Sequence, residues 1–204
     1  MKKTQRMFWN DYYRKHGNVW RKVNYFEEDF SGKKVLELGC GNGKSVAGIF
    51  EKNPLKLCAV DFSEIAIRVA EERFPEGVDF FRAECQELPF KNNEFDFVVC
   101  RHVLGAMDAK DAAQSVGEIK RVLKKGGEVL FSDFGIGDLR EKGSMVGVNT
   151  YQKKNGILQH FFTENEAKKL FGGFSGVTVE TKSNYLMLSG KRVLRTEVFA
   201  TAIK

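Results

Sequence analysis

The sequence predicts an α/β fold: a doubly wound, mostly parallel sheet that closes on a C-terminal antiparallel hairpin. Three observations predict it. Short apolar runs alternate with helical stretches from Lys34 to Asp133, the rhythm of parallel strands joined by crossover helices. The first run, Val35-Leu36-Glu37-Leu38, leads into Gly39, Gly41 and Gly43, the pattern of a strand that ends in a tight turn and opens a helix. Val177–Leu188 and Arg192–Ile203 are long β-rich runs split by Ser189-Gly190, which reads as a terminal hairpin.

The 204 residues, 42% of them hydrophobic, suit one domain with a full core. Four stretches are expected within it. Residues 1–33 form an N-terminal helical cap, 34–133 a ligand-binding core, 134–162 an insertion over the substrate side, and 163–204 a helix and the terminal hairpin.

In order, residues 5–30 hold two helices rich in aromatics, among them Phe8, Trp9, Tyr12, Tyr13, Trp20, Phe26 and Phe30. Lys34–Leu38 is the first strand and Lys44–Glu51 the helix after it. Lys56–Val60 is the second strand. Ser63 caps the next helix, whose Ile65, Val69 and Phe74 form a partial apolar stripe. Val78–Arg82 is a short third strand. Phe95–Cys100, apolar apart from Asp96, reads as a fourth strand covered on both faces. Asp111–Leu123 is a helix with Val116, Ile119 and Leu123 on one side, and Glu128–Asp133 is the fifth strand. Residues 134–162 hold no good helix, but Asn155-Gly156 is a strong hairpin signal. Thr163 and Glu166 make a capping box for a short helix through Phe171.

The net charge of +6 is uneven. Residues 1–34 carry +5, residues 35–134 carry −4 and residues 135–204 carry +5. Basic ends around an acidic middle suit an anionic partner, nucleic acid included, although solvated surface lysines give the same count. The N-terminus leads into no apolar signal segment, and no apolar run is long enough to span a membrane. Cys40, Cys58, Cys85 and Cys100 are widely spaced without a C-x-x-C pair, so buried thiols in a reducing cytoplasm are expected and a metal site is not.

Three nucleotide-binding turns compete for the glycines. Gly43-Lys44-Ser45 mimics the end of a phosphate-binding loop, but that motif needs a glycine where Leu38 stands, and Arg101 occupies the place of a magnesium-binding acid. The dinucleotide fingerprint needs its third glycine one residue later than Gly43. Residues beyond the turn decide. Asp61 ends the second strand, where a carboxylate can accept both hydroxyls of a ribose. Glu84 comes just after the third strand and precedes Leu88-Pro89-Phe90. Phe62 can pack on a flat ring. The run from Phe95 through Cys100, Arg101 and His102 to Leu104 closes the series.

These four motifs, in this order and spacing over residues 33–134, resemble class I S-adenosylmethionine-dependent methyltransferases. The resemblance implies a Rossmann-like, seven-stranded methyltransferase sheet, S-adenosyl-L-methionine as cofactor, and methyl transfer. It implies cofactor contacts from Glu37, Gly39, Cys40, Gly41, Asn42, Gly43, Asp61, Phe62, Glu84, Cys85, Cys100 and Arg101, with Tyr13 closing over from the first helix. The sulfonium methyl needs an in-line nucleophile more than a base. Asp133, at the carboxyl end of the fifth strand, and His102 are the catalytic candidates; Arg101 and His160 are further groups expected to face the methyl.

A narrower set of residues resembles the tRNA 3-methylcytidine methyltransferase group. It comprises Phe8–His16, Phe131-Ser132-Asp133-Phe134-Gly135, Asn149-Thr150-Tyr151, Asn155-Gly156 and Phe161-Phe162-Thr163. Ser132 stands where that group has arginine, and Val19-Trp20-Arg21-Lys22 only echoes its basic-aromatic segment. The acceptor expected is therefore an RNA base or a small molecule, as in the C- and O-methyltransferases that the cofactor half also resembles. A non-catalytic cofactor-binding module is the alternative of another class.

Overall fold

The structure, a computed structural model, describes residues 3–16 and 24–204. Helix α1 spans Lys3–His16. The core then runs β1 (Lys34–Leu38), α2 (Lys44–Phe50), β2 (Lys56–Asp61), α3 (Glu64–Arg73), β3 (Asp79–Arg82) and β4 (Phe95–Arg101). A single 3-10 turn at Leu104–Ala106, α4 (Ala109–Val122) and β5 (Leu123–Phe134) complete it. The insertion carries β6 (Ser144–Gly147), β7 (Thr150–Gln152) and β8 (Leu158–His160). Helix α5 (Glu164–Leu170) leads to β9 (Ser175–Leu188) and β10 (Lys191–Ile203).

The main sheet has seven strands in the order β3-β2-β1-β4-β5-β10-β9. Strands β1 to β5 pair in parallel, and β10 is antiparallel to both β5 and β9. The fold class read from the sequence holds, hairpin included. Packing follows from the strand sequences. β1 and β2 are buried almost throughout and β4 is buried or half-buried, because helices lie on both sheet faces. One core layer joins Leu36, Val98, Phe131 and Phe171 with α4 and α5; the other joins Val35, Leu57, Ile49 and Ile67 with α2 and α3.

Caps land where the side chains allow. Ser63 Oγ accepts Ala66 N–H at 3.2 Å, Asp108 accepts Asp111 N–H at 3.0 Å, and Thr163 and Glu166 form the full capping box. The Asn155-Gly156 turn joins β7 to β8, closed by Lys153 N–H on the Ile157 carbonyl at 2.8 Å.

Some expectations need correction. Residues 24–33 form no helix. Phe26 and Phe30 are spaced like a helical face, yet they anchor an irregular segment, with Phe30 packed edge-on to Phe97 at 5.3 Å. An Asp29 carboxylate that accepts Ser31 N–H at 2.9 Å and a left-handed Gly32 turn the chain into β1 instead. The rest of the second helix, with Val19, Trp20, Arg21 and Lys22, lies outside the described residues. On α3 the core face is Ala66, Ile67 and Ala70 rather than Ile65 and Val69, because small residues let the helix sit close to the sheet. The insertion carries the expected hairpin as β7 and β8, and β6 adds to β7 to make three strands. No described helix is long and apolar enough to cross a membrane.

Candidate active site

The carboxyl ends of β1, β2 and β4 meet under α1. Together they line a cleft whose walls include Gly39, Asp61, Phe62, Glu84, Cys85 and His102, with Trp9 and Tyr13 from α1 above. Such a crevice outside the strand ends is where open α/β sheets hold ligands.

The glycines are dictated by close approach. Gly39 has φ +60°, and a Cβ there would lie 2.5 Å from Val103 Cγ2. Gly41 has φ +53°, and a Cβ there would lie 2.6 Å from the Tyr13 hydroxyl. Asp61 is buried. Its Oδ2 accepts Gly41 N–H at 3.0 Å and its Oδ1 accepts Ser63 N–H at 2.8 Å, so one side chain ties the glycine turn to the start of α3. Burial pushes its carboxyl up to about 6 despite those two bonds. Each oxygen keeps a second acceptor direction for a ligand.

Glu37 sits below the turn. Burial pushes its carboxyl up to about 8, against a hydrogen bond from Ser45 and the charge of Arg101. Its Oε2 has no partner among the described residues. A buried, unpartnered carboxylate oxygen is costly unless something cationic joins it.

Helix α1 presents one face to this floor. Arg6 pairs with Glu84, Asn10 Oδ1 accepts the Ser63 hydroxyl at 2.6 Å, and Tyr13 lies on the glycine turn. Gln5 reaches the insertion instead. It donates to the Gly156 carbonyl and accepts Leu158 N–H, both at 3.0 Å, while Phe8 packs against Gly156.

The other side of the cleft is a charged cluster. His102 takes φ +56°, a costly conformation for a non-glycine residue that the surroundings impose. Its ring stacks on Phe134 with centroids 4.3 Å apart. Nε2 lies 2.9 Å from Glu197, which Arg195 also holds at 2.8 Å; Nδ1 lies 3.7 Å from Asp133, too far for a hydrogen bond. Burial alone would lower the imidazole, but the two carboxylates outweigh it and raise its pKa. Burial opposes Glu197's charge in turn, yet His102 and Arg195 hold its carboxyl well below the usual range.

Asp133 does not behave as its position suggests. It is fully buried and outside the cleft wall. Gly105 N–H reaches Oδ2 at 2.8 Å, while Phe134 N–H at 2.9 Å and the Gln159 amide at 3.4 Å reach Oδ1. The 3-10 turn and the insertion cover it. Its nearest approach to His102 is 3.7 Å. His160 also turns away: it pairs with Thr150 at 2.9 Å and Glu166 at 3.6 Å. Arg101 donates to Ser132 Oγ at 3.0 Å and lies over the Phe26 ring, so the guanidinium packs beneath the sheet end rather than in the cleft.

Among the expected cofactor residues, Gly39, Asp61, Phe62, Glu84, Cys85 and Tyr13 line the cleft together. Gly41 touches it through Asp61 and Tyr13. Cys40 and Cys100 are buried in the core, Gly43 starts α2, and the Asn42 carbonyl accepts Arg73 at 2.7 Å. Sequence reasoning missed Trp9, Val103, Met107 and Glu197. Arg6, Trp9, Asn10 and Tyr13 recur at helical spacing, so that face was legible; Glu197 had no local signal. The four cysteines are free and buried, and no group of potential metal ligands occurs among the described residues.

Residues 35–127 match the family model described as Methyltransferase domain. The tRNA N(3)-methylcytidine methyltransferase trm140 of Schizosaccharomyces pombe is 28% identical over 164 residues, covering 74% of this chain and 53% of that protein. The chain thus spans about half the length of that relative. The ubiquinone/menaquinone biosynthesis C-methyltransferase UbiE of Campylobacter jejuni is 27% identical over 201 residues, covering 91% of this chain and 76% of its own. A solved S-adenosylmethionine-dependent methyltransferase structure from Methanosarcina mazei superposes with a TM-score of 0.67 at 24% identity, over 88% of this chain and 95% of that one. It shares the fold.

Proposed function

We propose that this chain, which carries a methyltransferase domain over residues 35–127, is an S-adenosylmethionine-dependent methyltransferase that acts on an RNA base. The observation that carries methyl transfer is the cleft itself. The glycine turn of β1, the strand-end carboxylate Asp61, and Phe62, Glu84 and Cys85 converge on one cavity.

The residues fit the cofactor. Asp61 binds the ribose hydroxyls. Phe62 packs on the adenine, and Glu84 and the Cys85 N–H meet its edge once Arg6 shares or yields the Glu84 carboxylate. Glu37, with its orphaned Oε2, holds the methionine ammonium. S-adenosylmethionine, when bound, supplies an activated sulfonium methyl. The protein's own work is to hold the acceptor in line and keep water out. Tyr13 and Trp9 of α1 exclude water from above, and His102 forms the wall at the other end.

The RNA reading rests on a groove between α1 and the β7–β8 turn. Tyr12, Lys15, His16, Lys153 and Lys154 line it beside the cleft. Cations around an exposed aromatic suit a phosphate backbone and an unstacked base. The S. pombe relative is named for cytidine in tRNA, so the finer proposal is a tRNA cytidine acceptor in the cytoplasm. A small-molecule acceptor is the second reading, favoured by the UbiE match over 91% of this chain.

Transfer of labelled methyl into a cell extract, separated into RNA, protein and small-molecule fractions, tests this. Ribonuclease-sensitive label in RNA, assigned by nucleoside analysis, is the expected result. Label confined to small molecules overturns the RNA acceptor, and cofactor binding without transfer to any fraction overturns the enzyme.

A further inference from the structure

Strand β9 ends the main sheet, and among the described residues nothing pairs with its outer edge. It is 14 residues long and exposed along most of its length. Its inner edge pairs with β10 as far as Leu188, whereas β10 pairs with β5 only over Glu197–Ile203. The outer half of the hairpin therefore projects beyond the sheet. It carries apolar residues into solvent: Tyr185 is 58% exposed and Met187 70%. A long edge strand with an apolar tip and no proline or bulge in its projecting half is a template for another strand.

The sequence of β9 is self-complementary about Thr181. Its only charges are Glu180 and Lys182, two residues apart on one face and now paired with each other at 2.6 Å as an exposed ion pair. In an antiparallel pairing across a two-fold axis through Thr181, Glu180 of each copy meets Lys182 of the other. The same register sets Val177 against Tyr185, a β-branched and aromatic pair of the kind that stabilises sheets. An axis through Glu180 or Lys182 would set like charges directly opposite. An axis one residue further out would leave both charges facing neutral residues. Alternation of side chains excludes axes between residues.

We propose that β9 is a homodimer interface: two copies join edge to edge, antiparallel about Thr181, into one continuous sheet. The contact is isologous and closes on itself, so it yields a dimer and no longer assembly. It lies on the sheet edge remote from β1 and β2, and so leaves the cofactor cleft open.

Light scattering on the eluting full-length chain tests the proposal. The wild type should have twice the 23.2 kDa mass of one chain. Glu180→Lys and Lys182→Glu each turn two attractive cross-strand pairs repulsive, and each should weaken dimerisation at least about tenfold. The double variant E180K/K182E restores opposite charges and should restore the dimer. Thermal transitions like the wild type's show that the variants fold. A monomeric wild type overturns the proposal, as does a monomer that gains mass only with a different protein. So do single variants that stay fully dimeric, or a double variant that stays monomeric.

Discussion

Asp61 and Asp133 stand in matching places and do different work. Each lies at the carboxyl end of a parallel strand, each is buried, and each accepts two backbone N–H groups. Asp61 nonetheless lines the cleft, while Asp133 is sealed by the 3-10 turn and by Gln159 of the insertion. The segment after each strand makes the difference. After β2 the chain turns into α3 through Phe62 and Ser63 and leaves the carboxylate's outer side open. After β5 the chain folds back as the insertion and closes it. A strand-end carboxylate is a ligand site only when the next segment leaves room for a ligand.

Removing each carboxylate should separate the two roles. Asp133→Ala leaves buried N–H groups of Gly105 and Phe134 without an acceptor, and should destabilise the fold by about 3 kcal/mol. Thermal or urea unfolding measures this; a loss under about 1 kcal/mol would show that water reaches the site after all.

Acidity should act through Asp61. Burial pushes its carboxyl up to about 6 in the free protein, and under the proposed function the ionised form is the one that accepts the ribose hydroxyls. Cofactor affinity should fall more steeply below that pH than above it, by up to about a further tenfold per unit. The same raised value means that ionising Asp61 costs the free fold stability: its contribution is present below the ordinary 3.8 and lost as pH rises through about 6. An affinity unchanged between pH 7 and pH 5, read by calorimetry, would detach Asp61 from the ligand.

Gln5→Ala probes the contacts between α1 and the insertion. It removes both bonds between α1 and the β7–β8 turn and should loosen α1 by about 1 kcal/mol. Hydrogen exchange should quicken in α1 and stay unchanged in β5. Glu37 gives the smallest signal. Its carboxyl lies at about 8, so it is protonated in the free protein at pH 7. Pairing with an ammonium should expel that proton, seen as a dependence of the calorimetric heat on buffer ionisation that Glu37→Gln abolishes.

The same contrast explains which parts the sequence made legible. The cofactor half is written locally. The glycine turn, the acid that ends β2, and Glu84 just before the Leu88-Pro89-Phe90 run each follow closely on a strand, and Gly39, Asp61 and Glu84 line the cleft. Capping by Ser63 and the Thr163–Glu166 box is local too, and those helices start where the side chains allow. The opposite wall is assembled from afar. His102 acquires its setting from Glu197 on β10, and Asp133 loses its exposure to Gln159, partners that no spacing along the chain reveals. Phe26 and Phe30 misled for a related reason: an i, i+4 aromatic pair also suits an irregular segment pressed on a sheet.

Methyl transfer by this chain stands or falls with S-adenosylmethionine binding in the cleft at Asp61. Calorimetric titration of S-adenosylhomocysteine into the wild type and into Asp61→Ala, with the thermal transition of each recorded, decides it. The expected result is saturable one-site binding to the wild type, and affinity at least about tenfold weaker in a folded variant, equivalent to about 1.4 kcal/mol. A wild type that does not bind, or a folded variant that binds equally well, would contradict it.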